Sequence, residues 1–169
     1  MNYPEPYVLF LIEFHAKRDY FECHELLEDY WKEQEPGGKR ESIWVVLIQL
    51  AVASYHFRRG NLLGASKMLD KAFSNLHSVD GNIVHSIGLD FALLEKRILS
   101  EQSRLNDGLP YRPYNLPIVD TALLDECRQL CGQQGIEWDN NCPVSEQIMN
   151  KHLYRHGKKG AYTKKRTSE

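Results

Sequence analysis

The chain has no apolar run long enough to cross a bilayer. Its most apolar stretch, Ile43 to Phe57, falls short of the ~20 residues a span needs and carries Gln49 and His56. The opening MNYPEPYVLFLIEF lacks a basic leader and meets Glu13 at once, so it does not read as a signal peptide. Cysteine is scarce, four residues in all, and without a secretion signal this favours thiols over disulfides and a cytoplasmic location. A net charge of −2 leaves no electrostatic footprint for nucleic acid across the whole chain. A Gly-rich phosphate loop, a nucleophile elbow, a Ser/His/Asp order and an H-E-x-x-H zinc motif are all missing, which sets aside the reactions they serve.

What is present is helical. The stretch IWVVLIQLAVASYHF is apolar on nearly every side for about four turns, too long for a strand, and predicts a central helix over about Arg40 to Arg59 against which the others pack. At about 100° per residue its polar groups Ser42, Gln49 and His56 fall on one line. A buried amide or imidazole left unpaired costs on the order of 1–3 kcal/mol, so a partner must cross that seam.

The remaining segments fall into order around this helix. Tyr7 to Lys17 reads as a short helix, and Asp19 with Glu22 as the capped start of YFECHELLEDYWKEQ, which Pro36-Gly37-Gly38 stops. Gly60 closes the central helix and Asn61 caps the next, where Gly64 and Ala65 would let its axis approach a neighbour. Asp80-Gly81-Asn82 breaks the chain before a helix over about Ile87 to Arg104. Prolines 110, 113 and 117 impose an extended strap, and a helix over about Asp120 to Cys131 follows. The expected class is an all-α bundle or short superhelix with four or five helices around a central one. Residues 1–124 form its core, 125–155 an extension, and 156–169 a basic tail that offers little apolar surface to offset ordering. A 42-residue shift lays Asp19 on Asn61 and Leu27 on Leu69, a helix-hairpin rhythm with a longer period than the ~34 of tetratricopeptides.

The chemistry concentrates on the second helix. His24 lies within roughly 60° of the buried face centred on Leu27, and Glu28 at its border one turn away, so the two can chelate an ion or bond each other. If this helix crosses the seam of the central one, His24 and Glu28 meet Gln49 and His56 in a mostly apolar core. Cys127 and Cys131 share a helix face, with Cys142, His152 and His156 downstream, but the spacing fits no common zinc ribbon.

The passages YFECHELLEDYW and LIQLAVASYHFRRGNLLGASKML resemble the domain of unknown function 309 family, whose signature is an H-E-x-L-E-x-x-W helix and a later I-Q-x-A-V-A-x-x-H-x-x-x-G-N-x-x-G-A stretch. The resemblance covers roughly Asp19 to Ser100 and implies an all-helical, tetratricopeptide-like fold and a predicted metal-dependent hydrolase. The polar positions it maps here are His24, Glu25, Glu28, Gln49, His56 and Asn61. Two functions stand side by side. In the first, His24, Glu28 and His56 hold a divalent ion, Glu25 supports them or acts as general base, and Gln49 orients water or substrate. In the second, the same residues lock the core of a non-catalytic module that binds a small molecule, a peptide or a second copy of itself.

Overall fold

Ile43–Arg58 (α3) is the helix with no polar face, and the chain wraps around it. The structure, a computed structural model, describes residues 3–154. Leu47 and Leu50 of α3 are fully buried, while Trp44 and Val52 are partly covered. The helix starts at Ile43 because Ser42 caps it, accepting a bond from the Trp44 N–H. Around it stand α1 (Glu5–Ile12), α2 (Tyr20–Gln34), α4 (Leu62–Leu76), α5 (Gly81–Ser86), α6 (Phe91–Asn106), α7 (Thr121–Gln133) and α8 (Glu146–Met149). Among the described residues there is no β-strand beyond one isolated bridge between Leu89 and Ile118. The protein is an all-α bundle, and no helix among the described residues is long and apolar enough to cross a membrane.

The helix starts follow from local chemistry. Asp19, Ser42, Asn61, Asp80, Asp90, Asp120 and Ser145 each accept a backbone N–H from the turn they open. Each such cap is worth about 1 kcal/mol. Asp80-Gly81-Asn82, expected to be a break, is the cap of α5. The helix expected from Ile87 starts instead at Phe91 under the Asp90 cap, because residues 87–89 are needed for a turn. Gly88 has φ +80°, and a Cβ there would lie 2.9 Å from the Leu123 side chain. Its carbonyl accepts from the Val119 N–H at 2.8 Å, which pins the end of the strap.

Gly64 has a different use from the one its sequence suggests. A Cβ at that position would meet Asn61 Nδ2 at 2.6 Å, so the glycine makes room for its own helix cap rather than for a neighbouring helix. The close contact of α4 comes from Ala65, Leu69, Ala72 and Leu76, a buried stripe one turn apart.

Between α1 and α2 the chain widens into a π-helical turn, Glu13–Lys17, and Arg18 then adopts a left-handed conformation at φ 53°. For a non-glycine residue this costs roughly 1–2 kcal/mol. The Arg18 side chain offsets that cost. Its guanidinium is buried and donates to the carbonyls of Phe14, Tyr114 and Asn140 and to Asn115 Oδ1. The strap is held at a second point by His15, whose Nε2 accepts the Leu116 N–H at 2.9 Å. Tyr114 and Leu116 are buried, so the strap packs against the bundle through these two side chains.

α7 lies against α1. Leu123, Cys127 and Cys131 belong to the same core as α1 and α3. The basic tail expected over 156–169, and His156 with it, fall outside the described residues.

Candidate functional site

α2 buries Tyr20, Cys23 and Leu27, residues spaced three and four apart on one stripe. His24 follows Cys23 and is turned about 100° from it, which brings its ring to the edge of that stripe. Its side chain is 30% exposed, so His24 is a rim group and not a core one. Its Nε2 sits 2.7 Å from Glu28 Oε2 and its Nδ1 3.3 Å from Glu25 Oε1. Glu28 in turn meets Lys32 Nζ at 2.5 Å.

The polar seam of α3 exists, but the helix that crosses it is α4. Gln49 is buried and its Oε1 accepts from Asn75 Nδ2 at 3.0 Å. His56 Nδ1 lies 3.2 Å from Asn61 Nδ2. Because α4 returns antiparallel, its cap residue faces the end of α3 and Asn75 faces the middle. The expected meeting of His24 and Glu28 with Gln49 in the core therefore does not occur: Gln49 is taken by α4, and His24 stays at the rim.

His24 and His56 do come together at the surface between α2 and α3. A cleft of 290 Å³ there is lined by Tyr20, Phe21 and His24 from α2, Val52, Tyr55, His56 and Arg59 from α3 and its end, and His152. Asn61 fixes the state of His56. Its Oδ1 accepts the Gly64 N–H, so its Nδ2 must face the imidazole, and Nδ1 of His56 accepts. The ring proton then sits on Nε2. Burial, and secondarily the charge of Arg59, hold the His56 pKa below its ordinary value, which keeps the ring neutral.

The far side of the cleft is closed by the chain beyond α8. Tyr55 Oη accepts the His152 backbone N–H at 3.2 Å and is hydrogen-bonded to His152 Nδ1. Lys151 Nζ reaches Asp19 Oδ2 at 2.6 Å and Glu22 Oε2 at 3.2 Å, and Arg59 Nε donates to Asn150 Oδ1 at 3.1 Å. Sequence reasoning placed His152 with the cysteines and passed over Phe21, Tyr55 and Arg59. The i, i+4 pairing of Tyr55 with Arg59, whose guanidinium carbon lies 5.5 Å from the ring centroid, is the signal that was there to be read.

A divalent ion needs three or more donors aimed at one point. His24 has a carboxylate near each ring nitrogen, His56 has given Nδ1 to Asn61, and Gln49 is elsewhere. Among the described residues no three His, Cys, Asp or Glu side chains gather closely enough to hold an ion. As placed, His24, Glu28 and His56 do not fit a resident metal. The cysteines do not supply one either: Cys127 and Cys131 are buried in α7, where burial pushes the Cys127 thiol up to about 12, and Cys142 is exposed.

The sequence profile of the family described as Domain of unknown function (DUF309) matches residues 7–68, which hold most of α1, all of α2 and α3 and the first turns of α4. Both walls of the cleft lie within that range, whereas His152 lies outside it. The "Uncharacterized protein YpuF" of Bacillus subtilis (strain 168) is 40% identical over 154 residues, covering 90% of this chain and 87% of that protein. No solved structure matches the chain. With identity of that extent and the profile match on the helices that build the cleft, the chain belongs to the DUF309 family.

Proposed function

We propose that the protein is a binding module that receives a small organic molecule in the cleft between α2 and α3. The observation that carries this reading is the lining. Aromatic and apolar side chains dominate it, and a few polar groups are fixed by partners outside it, which is how small-molecule pockets are built. The hydrolase reading assigns catalysis to Glu25 and Gln49. Neither lines the cleft, and Gln49 is bonded to Asn75 on another face, so the binding reading is the better supported. In it, Glu25 and Glu28 hold the His24 ring in place as a wall.

The test is a fragment screen read by amide chemical shifts of the full-length chain, repeated on Val52→Trp, which fills the cleft. Fragments that shift the Phe21, Val52 and Tyr55 signals in the parent and not in Val52→Trp are the expected result. A screen in which every hit maps elsewhere on the surface would remove the proposal.

A further inference from the structure

Resting on that reading of the cleft, we propose that its ligand is a single-ring aromatic or similarly flat molecule bearing one carboxylate. Size comes first. A volume of 290 Å³ lies just below the ~300–1,000 Å³ range of small-molecule pockets, which leaves room for one ring and a short substituent. Shape follows from the walls. Phe21 stands 5.9 Å from Tyr55 and 6.1 Å from His24, ring centroid to centroid, and Tyr55 stands 5.6 Å from His152. Planar groups on several sides favour a planar guest through offset and edge contacts.

Charge follows from which polar atoms are already used. The acceptors at the lining are taken: Tyr20 Oη is paired with Tyr111 Oη at 2.6 Å, and Tyr55 Oη with both the backbone and the ring of His152. The donors are not. His56 presents Nε2–H, because Asn61 has claimed Nδ1. Arg59 gives Nε to Asn150, and its two terminal nitrogens make no hydrogen bond among the described residues. A lining with donors to spare and no acceptor to spare selects a guest that accepts. A guanidinium fork beside a neutral N–H matches the flat, two-oxygen geometry of a carboxylate, and its charge disfavours an amine. Neither Glu25 nor Glu28 lines the cleft to oppose the anion.

The experiment titrates full-length protein with benzoate, benzyl alcohol and benzylamine, which share a ring and differ in charge, and repeats the series on Arg59→Gln. Binding is measured by calorimetry and by the Phe21, Val52 and Tyr55 amide shifts. The expected result is benzoate binding roughly tenfold or more tighter than benzyl alcohol, no benzylamine binding, and benzoate falling to the alcohol's level in Arg59→Gln, the size expected for a charge-assisted bond. Benzyl alcohol or benzylamine binding in the cleft as tightly as benzoate would overturn the ligand class while leaving the cleft as a binding site. Benzoate binding that Arg59→Gln does not change would do the same. If none of the three probes shifts the cleft signals, the ligand class falls, and the fragment screen decides separately whether the cleft binds at all.

Discussion

His15 gives the sharpest test of how this fold is held together. Its ring is 1% exposed, stacked on Trp138 at a centroid distance of 4.7 Å, with Nδ1 donating to the Leu11 carbonyl at 2.8 Å and Nε2 accepting from the Leu116 N–H. Protonating the ring would set a second N–H against the Leu116 N–H and place a charge beside the buried Arg18. Burial lowers its pKa from 6.5 to about 4. The unfolded chain therefore binds more protons than the folded one between those values, and stability rises with pH across that window. The contribution is fully present above pH 6.5 and is lost as pH falls through about 4. At roughly 1.4 kcal/mol per pH unit, the gap amounts to about 3 kcal/mol.

Glu13 and Glu101, whose carboxyls burial pushes upward, act with the opposite sign, since the folded state binds their protons more tightly. The comparison must therefore be made against a variant. His15→Gln keeps an amide that can donate toward Leu11 and accept from Leu116 but cannot titrate. In denaturant melts at pH values from ~7.5 down to ~4, the wild type should lose about 3 kcal/mol more than His15→Gln, with most of the difference arising below pH ~6.5. Parallel pH profiles for the two proteins would refute the reasoning.

Two further outcomes follow from the same structure. Gln49→Leu should destabilise the fold by about 1–2 kcal/mol by stranding Asn75, and the double variant with Asn75→Leu should recover part of the loss; strictly additive melts would show that the seam bond contributes nothing. With a thiol reagent at neutral pH, Cys142 should react fast while Cys23, Cys127 and Cys131 wait for unfolding, because burial raises the pKa of all three. Fast labelling of more than one thiol in the native protein would contradict this.

The helices were legible because their signals are local. An apolar run about four turns long marks α3, side-chain caps at Asp19, Ser42 and Asn61 start three helices, and the prolines of residues 110–117 forbid a fourth. Of the line Ser42, Gln49 and His56, buried Gln49 meets Asn75 of α4 and the partly exposed His56 meets Asn61, whereas Ser42 caps its own helix. Which helix supplies the partners depends on how α4 returns across α3, and helical spacing carries no such information. The error on His24 has the same origin: 60° from the centre of a stripe can mean core or rim, depending on how close the neighbouring helix comes. His15 and Arg18 gave no signal because their partners, Leu116 and Tyr114, lie 101 and 96 residues away in the chain. His152 became part of the cleft by a docking event that no local pattern announces.

Arg18 also bears on the order in which the chain folds. The carbonyls that receive its guanidinium include Tyr114, 96 residues later, and Asn140, 122 residues later, whereas α2, α3 and α4 pack with their neighbours in sequence. The helical hairpins can close over short loops, while the charge of Arg18 must stay hydrated until the distant strap arrives. Until then its left-handed backbone is held only by nearer partners, the Phe14 carbonyl that its guanidinium reaches and Arg58, which donates to its own carbonyl. The strap should therefore dock after the α2–α4 hairpins and leave first on unfolding. Amide exchange should thus divide the molecule into an early, slowly exchanging centre and a late, quickly opening belt that meets it at Arg18 and His15.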